Sequence, residues 1–93
     1  MSKDLRQRIE RAATALKAAG AREVYLFGST ATGRLRKGSD VDMAVSGLPP
    51  ERFFEALGEA ADVLDVPLDL VDLDERNPFT EYLRQHGRLV RVG

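Results

Sequence analysis

The spacing of apolar and polar residues along the chain predicts both helices and strands. At the N-terminus, apolar residues recur at three- and four-residue spacing, which predicts an amphipathic helix over residues 3–19. Ser2 suits the N-cap of this helix, and Gly20 suits its C-terminal end. The apolar face consists of Leu5, Ile9, Ala12, Ala13, Leu16 and Ala19.

Further along, short apolar runs predict strands, and one more long amphipathic stretch predicts a helix. The loop over residues 28–38 is too short for a parallel crossover helix, so the two strands that it joins should be antiparallel and the sheet mixed. We expect a domain of the α/β (α+β) class, with helices packed on one face of the sheet and the other face free for a site. The predicted elements after the first helix are strands at 23–27 and 40–45, a helix at 51–64, a strand at 68–73, a short helix at 79–86 and a strand at 89–92.

Composition limits the possible functions. A chain of 93 residues is too short for two cores, so we expect a single domain over residues 1–93. The 14 Lys and Arg nearly balance the 15 Asp and Glu, which argues against binding to nucleic acid or to an anionic membrane. With no cysteine and only His86 as a histidine, any metal would be held mainly by oxygen, which suits Mg²⁺, Mn²⁺ or Ca²⁺.

The chain carries no pattern typical of a membrane or secreted protein. No apolar run is long enough to span a bilayer, and the N-terminal segment is charged rather than signal-like. We therefore expect a cytoplasmic protein.

Three aspartates in the predicted strands are the candidate catalytic and metal-binding residues. Asp40 and Asp42 lie two positions apart in a strand, so their side chains emerge on one face, about 7 Å apart. Such a pair is costly unless a cation lies between the carboxylates. Asp69, inside the next apolar run, completes a cluster if the two strands are neighbours. Asp72 is the rival and should face the opposite side; Asp69 is preferred because its neighbours look more buried.

The loop after the first strand has features suited to binding phosphate. Gly28 and Ser29 follow the strand directly, so backbone N–H groups and a hydroxyl can approach a phosphate closely. Gly33 allows a second sharp bend. Arg34 and Lys37 could supply positive charge for a triphosphate, or could simply be solvated.

Gly28-Ser29, Gly33 and the run Ser39-Asp40-Val41-Asp42-Met43, followed by Asp69 on a later strand, resemble the signature of the DNA polymerase β-like nucleotidyltransferase superfamily. The small size is similar to its minimal branch, the MntA-type antitoxins. The resemblance implies the nucleotidyltransferase fold, with two Mg²⁺ ions bound by Asp40 and Asp42 and the catalytic ion also bound by Asp69, which would help to activate the incoming hydroxyl. The predicted ATP-binding residues are Gly28, Ser29, Gly33, Arg34, Lys37 and Ser39.

The resemblance also implies a partner and a reaction. Small members of the family commonly accompany a HEPN-domain ribonuclease toxin, and some transfer AMP to a tyrosine near its active site. We therefore expect Mg²⁺-dependent transfer of AMP from ATP to a hydroxyl of such a partner. Two alternatives remain open: a module that neutralises its partner by binding alone, and the catalytic half of a bipartite small-molecule nucleotidyltransferase. Many relatives carry an arginine where this chain has Thr32, a role that Arg34, Arg36 or Lys37 would have to take over.

Overall fold

The computed structural model describes residues 2–35 and 40–93, and every predicted helix and strand is found in it with slightly shifted ends. A short helical turn follows the first strand, and a 3₁₀ turn at Pro50–Arg52 leads into the second long helix. The elements are α1 (Lys3–Ala18), β1 (Glu23–Leu26), α2 (Gly28–Ala31), β2 (Val41–Ser46), α3 (Phe53–Leu64), β3 (Leu68–Asp72), α4 (Pro78–Gln85) and β4 (Val90–Arg91).

The sheet is mixed, as predicted, and its strand order is β3-β2-β1-β4. β1 pairs with β2 and β4 in the antiparallel sense, whereas β2 and β3 are parallel. The antiparallel pair follows from the short connection through α2, and the parallel pair is possible because α3 supplies the crossover. The domain is therefore α+β, and β3 lies at one edge of its sheet.

Helices α1 and α3 cover one face of the sheet. The strand residues beneath them are apolar, and Val24, Met43 and Val45 are fully buried. The two helices bury mainly small side chains where they pack, which allows their backbones to approach closely. None of the described helices is long and apolar enough to cross a lipid bilayer. The buried alanines of the two helices are Ala12, Ala13, Ala56 and Ala60.

The short helix α4 packs on the opposite face of the sheet. Its Leu83 joins a second buried cluster with Phe27, Ala44 and Leu73. The helix begins at a capping box, in which the Asn77 side chain accepts from the backbone of Thr80 and the Thr80 hydroxyl accepts from the backbone of Asn77. The expectation of helices on one face therefore holds for α1 and α3, while α4 covers part of the other face.

Two substitutions in α3 test the close packing of the helices. Ala60→Leu adds a large side chain at a fully buried position and should lower the free energy of unfolding by about 1–3 kcal/mol. Gly58 lies two residues away, where an added Cβ would meet nothing within 4 Å. Gly58→Ala should therefore raise the free energy of unfolding by about 0.5–1 kcal/mol. Urea denaturation of both variants measures the two effects. Equal tolerance of both changes would contradict a tightly packed interface.

Candidate active site

The register of β2 and β3 brings two of the predicted aspartates together. Asp42 lies directly opposite Asp69 in the parallel ladder, so both side chains lie on the face that α1 and α3 leave uncovered. Asp40, two residues before Asp42, is exposed at the entry to β2. Asp72 lies opposite Val45, whose side chain is buried beneath the helices, and so belongs to the other face.

Relative burial does not explain why Asp69, rather than Asp72, lies beside Asp42. The neighbours of Asp69, Leu68 and Leu70, are only half-buried, whereas Leu73 beside Asp72 is buried. The expectation that Asp69 has the more buried neighbours is therefore wrong. The strand register alone distinguishes the two aspartates.

The negative charge of Asp42 is repelled by the charges of the other two aspartates. Partial burial raises the pKa of the Asp42 carboxyl, and the negative charges of Asp69 and Asp40 raise it further. Within residues 2–35 and 40–93, no three His, Cys, Asp or Glu side chains lie close enough together to enclose a metal ion. Asp40, Asp42 and Asp69 nevertheless interact through their charges, and they offer only oxygen donors. Oxygen is the ligand type that Mg²⁺ prefers, and a cation bound here would relieve the repulsion that raises the Asp42 pKa.

Gly28 lies against the carboxylate of Asp42. Its φ of +60° is in the left-handed region, and a Cβ added there would lie 2.8 Å from Asp42 Oδ2. Any side chain at this position would therefore push the carboxylate away. The sequence suggested Gly28 as a phosphate-binding residue, and the structure adds that its missing side chain makes room for Asp42.

Thr30 holds the start of β2 and was not foreseen from the sequence. Its side chain is buried, and its Oγ1 accepts a hydrogen bond of 2.9 Å from the backbone N–H of Asp42. The backbone N–H of Phe27 also donates to the C=O of Asp42, at 3.2 Å. These bonds fix the backbone of Asp42 to α2. The position of Thr30 next to the Gly28-Ser29 pair was the only signal in the sequence.

The loop residues up to Arg34 close a compact turn after α2. The C=O of Ser29 accepts from the hydroxyl of Thr32 at 3.1 Å and from the backbone N–H of Arg34 at 3.0 Å. Thr32, the departure from the family pattern, therefore stabilises the turn. Gly33 has a φ of +73°, and the Arg34 side chain is exposed. Lys37 and Ser39, with Arg36, lie outside the described residues.

The start of α2 places possible phosphate donors next to the carboxylates. The N–H groups in the first turn of a helix have no acceptor within that helix. Because α2 begins at Gly28, against the Asp42 carboxylate, these groups lie at the same place as the oxygen donors. Such N–H groups are suitable donors for a phosphate whose charge is shared with a cation at the carboxylates.

The raised pKa of Asp42 predicts a stability effect in the absence of metal. Asp42 binds its proton more tightly in the native state than in the unfolded state. Its contribution to the free energy of unfolding is therefore present at pH below the unfolded-state pKa and is lost as pH rises through the native-state pKa. In EDTA, Asp42→Asn should therefore raise Tm at about pH 7.5 and change it less at about pH 4. Asp62→Asn, on the exposed side of α3, removes the same charge away from the site. Calorimetry of both variants at the two pH values measures the changes in Tm. A lower Tm for Asp42→Asn than for the wild type at the higher pH would contradict an unfavourable charge at Asp42.

The contact between Gly28 and Asp42 predicts an effect on metal affinity. Gly28→Ala should weaken binding of Mn²⁺ about 10- to 100-fold, because the added Cβ displaces the Asp42 carboxylate. Gly33→Ala is the matched control, since it imposes similar left-handed strain while its Cβ would meet nothing within 4 Å. Titration with Mn²⁺ alone, followed by its electron paramagnetic resonance signal, compares the two. Equal losses in both variants would assign the effect to backbone strain.

Several solved structures with the same fold come from toxin–antitoxin proteins. A structure described as a minimal nucleotidyltransferase superposes with a TM-score of 0.72 and 27% identity, covering 90% of this chain and 90% of the other. A toxin–antitoxin structure with AMP-PNP gives 0.69 and 26%, covering 90% and 73%. A mutant of the toxin–antitoxin pair MntA–HpeT gives 0.64 and 26%, covering 89% and 71%.

Comparison of the sequence with protein families agrees with the fold. No curated protein matches the chain significantly. The family described as "Polymerase beta, Nucleotidyltransferase" matches residues 10–91, which include α2 and all three aspartates. The match covers most of the chain and the whole of the site built above. The chain therefore belongs to the polymerase β nucleotidyltransferase family.

Proposed function

We propose that this chain transfers AMP from ATP to a hydroxyl of a protein partner, with Mg²⁺ bound at Asp40, Asp42 and Asp69. The observation that supports this most is the in-register pair of Asp42 and Asp69 on the sheet face opposite α1 and α3. The pair combines repelling negative charges with the adjacent turn at Gly28, which we propose binds phosphate. Family membership supports the class of reaction, transfer of a nucleotidyl group.

The reaction is a single displacement at phosphorus. The acceptor oxygen bonds to the α-phosphorus, and the bond from the α-phosphorus to the oxygen that bridges to the β-phosphate breaks. Pyrophosphate leaves with that electron pair, and the hydroxyl proton passes to the Asp69 carboxylate and then to solvent. Bound Mg²⁺ supplies positive charge that neutralises the phosphates and the leaving group.

The residues of the loop hold the nucleotide in this proposal. Gly28 and Ser29 donate backbone N–H groups, and Ser29 its hydroxyl, to the β- and γ-phosphates. Gly33 and Arg34 follow in the same turn, with Lys37 and Ser39 assigned from the sequence pattern alone. The similar toxin–antitoxin structure with AMP-PNP supports binding of a nucleoside triphosphate by this fold.

The partner is proposed to be a HEPN-type toxin, with a tyrosine as the acceptor. The support is that similar structures come from toxin–antitoxin proteins. ATP and Mg²⁺ are both supplied in the cytoplasm, which is where we place the reaction. The alternative of neutralisation by binding alone predicts a complex without covalent transfer, so labelling of the partner separates the two.

Asp69→Asn tests the proposed chemistry. We expect labelled AMP to appear on the HEPN-type toxin with wild-type protein, and Asp69→Asn to reduce the rate by at least about 10²-fold, because no carboxylate then accepts the proton. Asp62→Asn, which removes a carboxylate from the exposed side of α3, should keep the wild-type rate. A stable complex without label, or full activity of Asp69→Asn, would contradict an enzymatic role for this site.

A further inference from the structure

An apolar groove runs along the outer edge of β3, beside the active site. On the helix-side face, Phe53 and Phe54 form one wall, and Phe54 is 81% exposed. On the opposite face, Phe79 forms the other wall and is half-exposed, with its ring in edge contact with Phe27 at 6.0 Å. Exposed aromatic side chains grouped in this way are typical of surfaces that bind another protein.

The floor of the groove is the unpaired edge of the sheet. β3 ends the strand order, so in the part of the chain that the structure describes no strand lies along its outer side. The N–H of Leu73 donates to the C=O of Val45 in β2 at 2.8 Å, and backbone direction alternates along a strand. Three backbone groups therefore point outward, where an added strand could form hydrogen bonds with them: the N–H and C=O of Leu70 and the N–H of Asp72.

The groove is acidic. Its lining includes Asp72 and Glu75, and none of the lining residues within 2–35 and 40–93 is basic. A neighbouring depression shares both of these acids and adds Asp74. The charge of Asp74 is partly balanced by Arg84, at 3.5 Å, whereas the carboxylate of Glu75 has no partner among the described residues. A second copy of this chain would bring like charges together at this edge, so self-pairing is disfavoured.

From these features, we propose that the groove binds an extended, basic and apolar segment of the protein that accepts the nucleotidyl group. The segment adds a strand to the outer edge of β3 through Leu70 and Asp72. Its side chains alternate between the wall formed by Phe53 and Phe54 and the wall formed by Phe79, and its Lys or Arg residues pair with Asp72 and Glu75.

The proposal rests on the proposed transfer to a protein hydroxyl and adds where that protein binds. A strand added to β3 lies about 4.8 Å from it. β3 is also the strand that carries Asp69. Binding at the groove would therefore bring the acceptor protein next to the carboxylate that takes the hydroxyl proton. The acidic groove would favour basic segments by charge, and its apolar walls would supply affinity.

Two variants of the wall and rim test the proposal by affinity for the HEPN-type toxin. Phe54→Ser and Glu75→Lys alter exposed side chains, and both should weaken binding at least tenfold in calorimetric titration. Val63→Ser is the matched control, because Val63 is exposed on the same helix but does not line the groove. The thermal stability of all three variants is measured first, and we expect it to remain near wild type.

A second measurement tests the added strand itself. Hydrogen–deuterium exchange at the backbone N–H groups of Leu70 and Asp72 should slow at least tenfold when the toxin is bound. Wild-type affinity in both groove variants, or unchanged exchange at these N–H groups within a formed complex, would overturn the proposed binding surface. In either case, wild-type labelling that is lost in Asp69→Asn would leave the proposed function standing. Failure of the wild-type protein both to bind and to label the toxin would overturn both proposals.

Discussion

The parallel pairing of β2 with β3 is the constraint on which the site depends. It places Asp42 directly opposite Asp69, a like-charged pair that costs stability wherever it occurs in a sheet. The pair is retained because the opposite faces of the same two strands pack against α1 and α3. Met43 and Leu70 pack beneath α1 and α3, and slipping the register by one residue would expose such side chains and bury the aspartates.

The two faces of the sheet therefore contribute differently, one to stability and the other to the candidate site. The face under α1 and α3 supplies the free energy of folding, through close packing of small helix residues on branched strand residues. The other face carries repulsion between carboxylates, and α4 covers only part of it. Because the first face fixes the strands, the second can hold charges in an arrangement that is unfavourable until a cation binds. Polar sites of this kind commonly reduce the stability of the free protein.

Much of this architecture could be predicted from the sequence because its signals are local. Residue spacing predicted α1 and α3, and the short loop predicted that β1 and β2 are antiparallel. Alternation along a strand predicted Asp40 and Asp42 as an interacting pair, and the charge of Asp40 does raise the Asp42 pKa, although Asp40 lies just before β2. The family resemblance then named the chemistry, and the family match agrees with it.

What the sequence could not predict depends on contacts between distant residues. The choice between Asp69 and Asp72 required the register of β3, and estimated burial gave a wrong reason for the choice. The approach of Gly28 to Asp42 and the hydrogen bond from Asp42 to Thr30 join residues that are far apart in the chain. The position of α4 was missed because its packing depends on Leu83 meeting Phe27, Ala44 and Leu73, which lie in three separate parts of the chain.

We propose that Asp42 and Asp69 act together as the metal-binding pair of a nucleotidyltransferase. Crystals of the protein grown with Mn²⁺ and a non-hydrolysable ATP analogue, with diffraction recorded at the manganese absorption edge, test it most directly. We expect an anomalous peak within about 2.5 Å of carboxylate oxygens from both residues, with the triphosphate at Gly28 and Ser29. A bound analogue whose metal peak lies away from these carboxylates would contradict it.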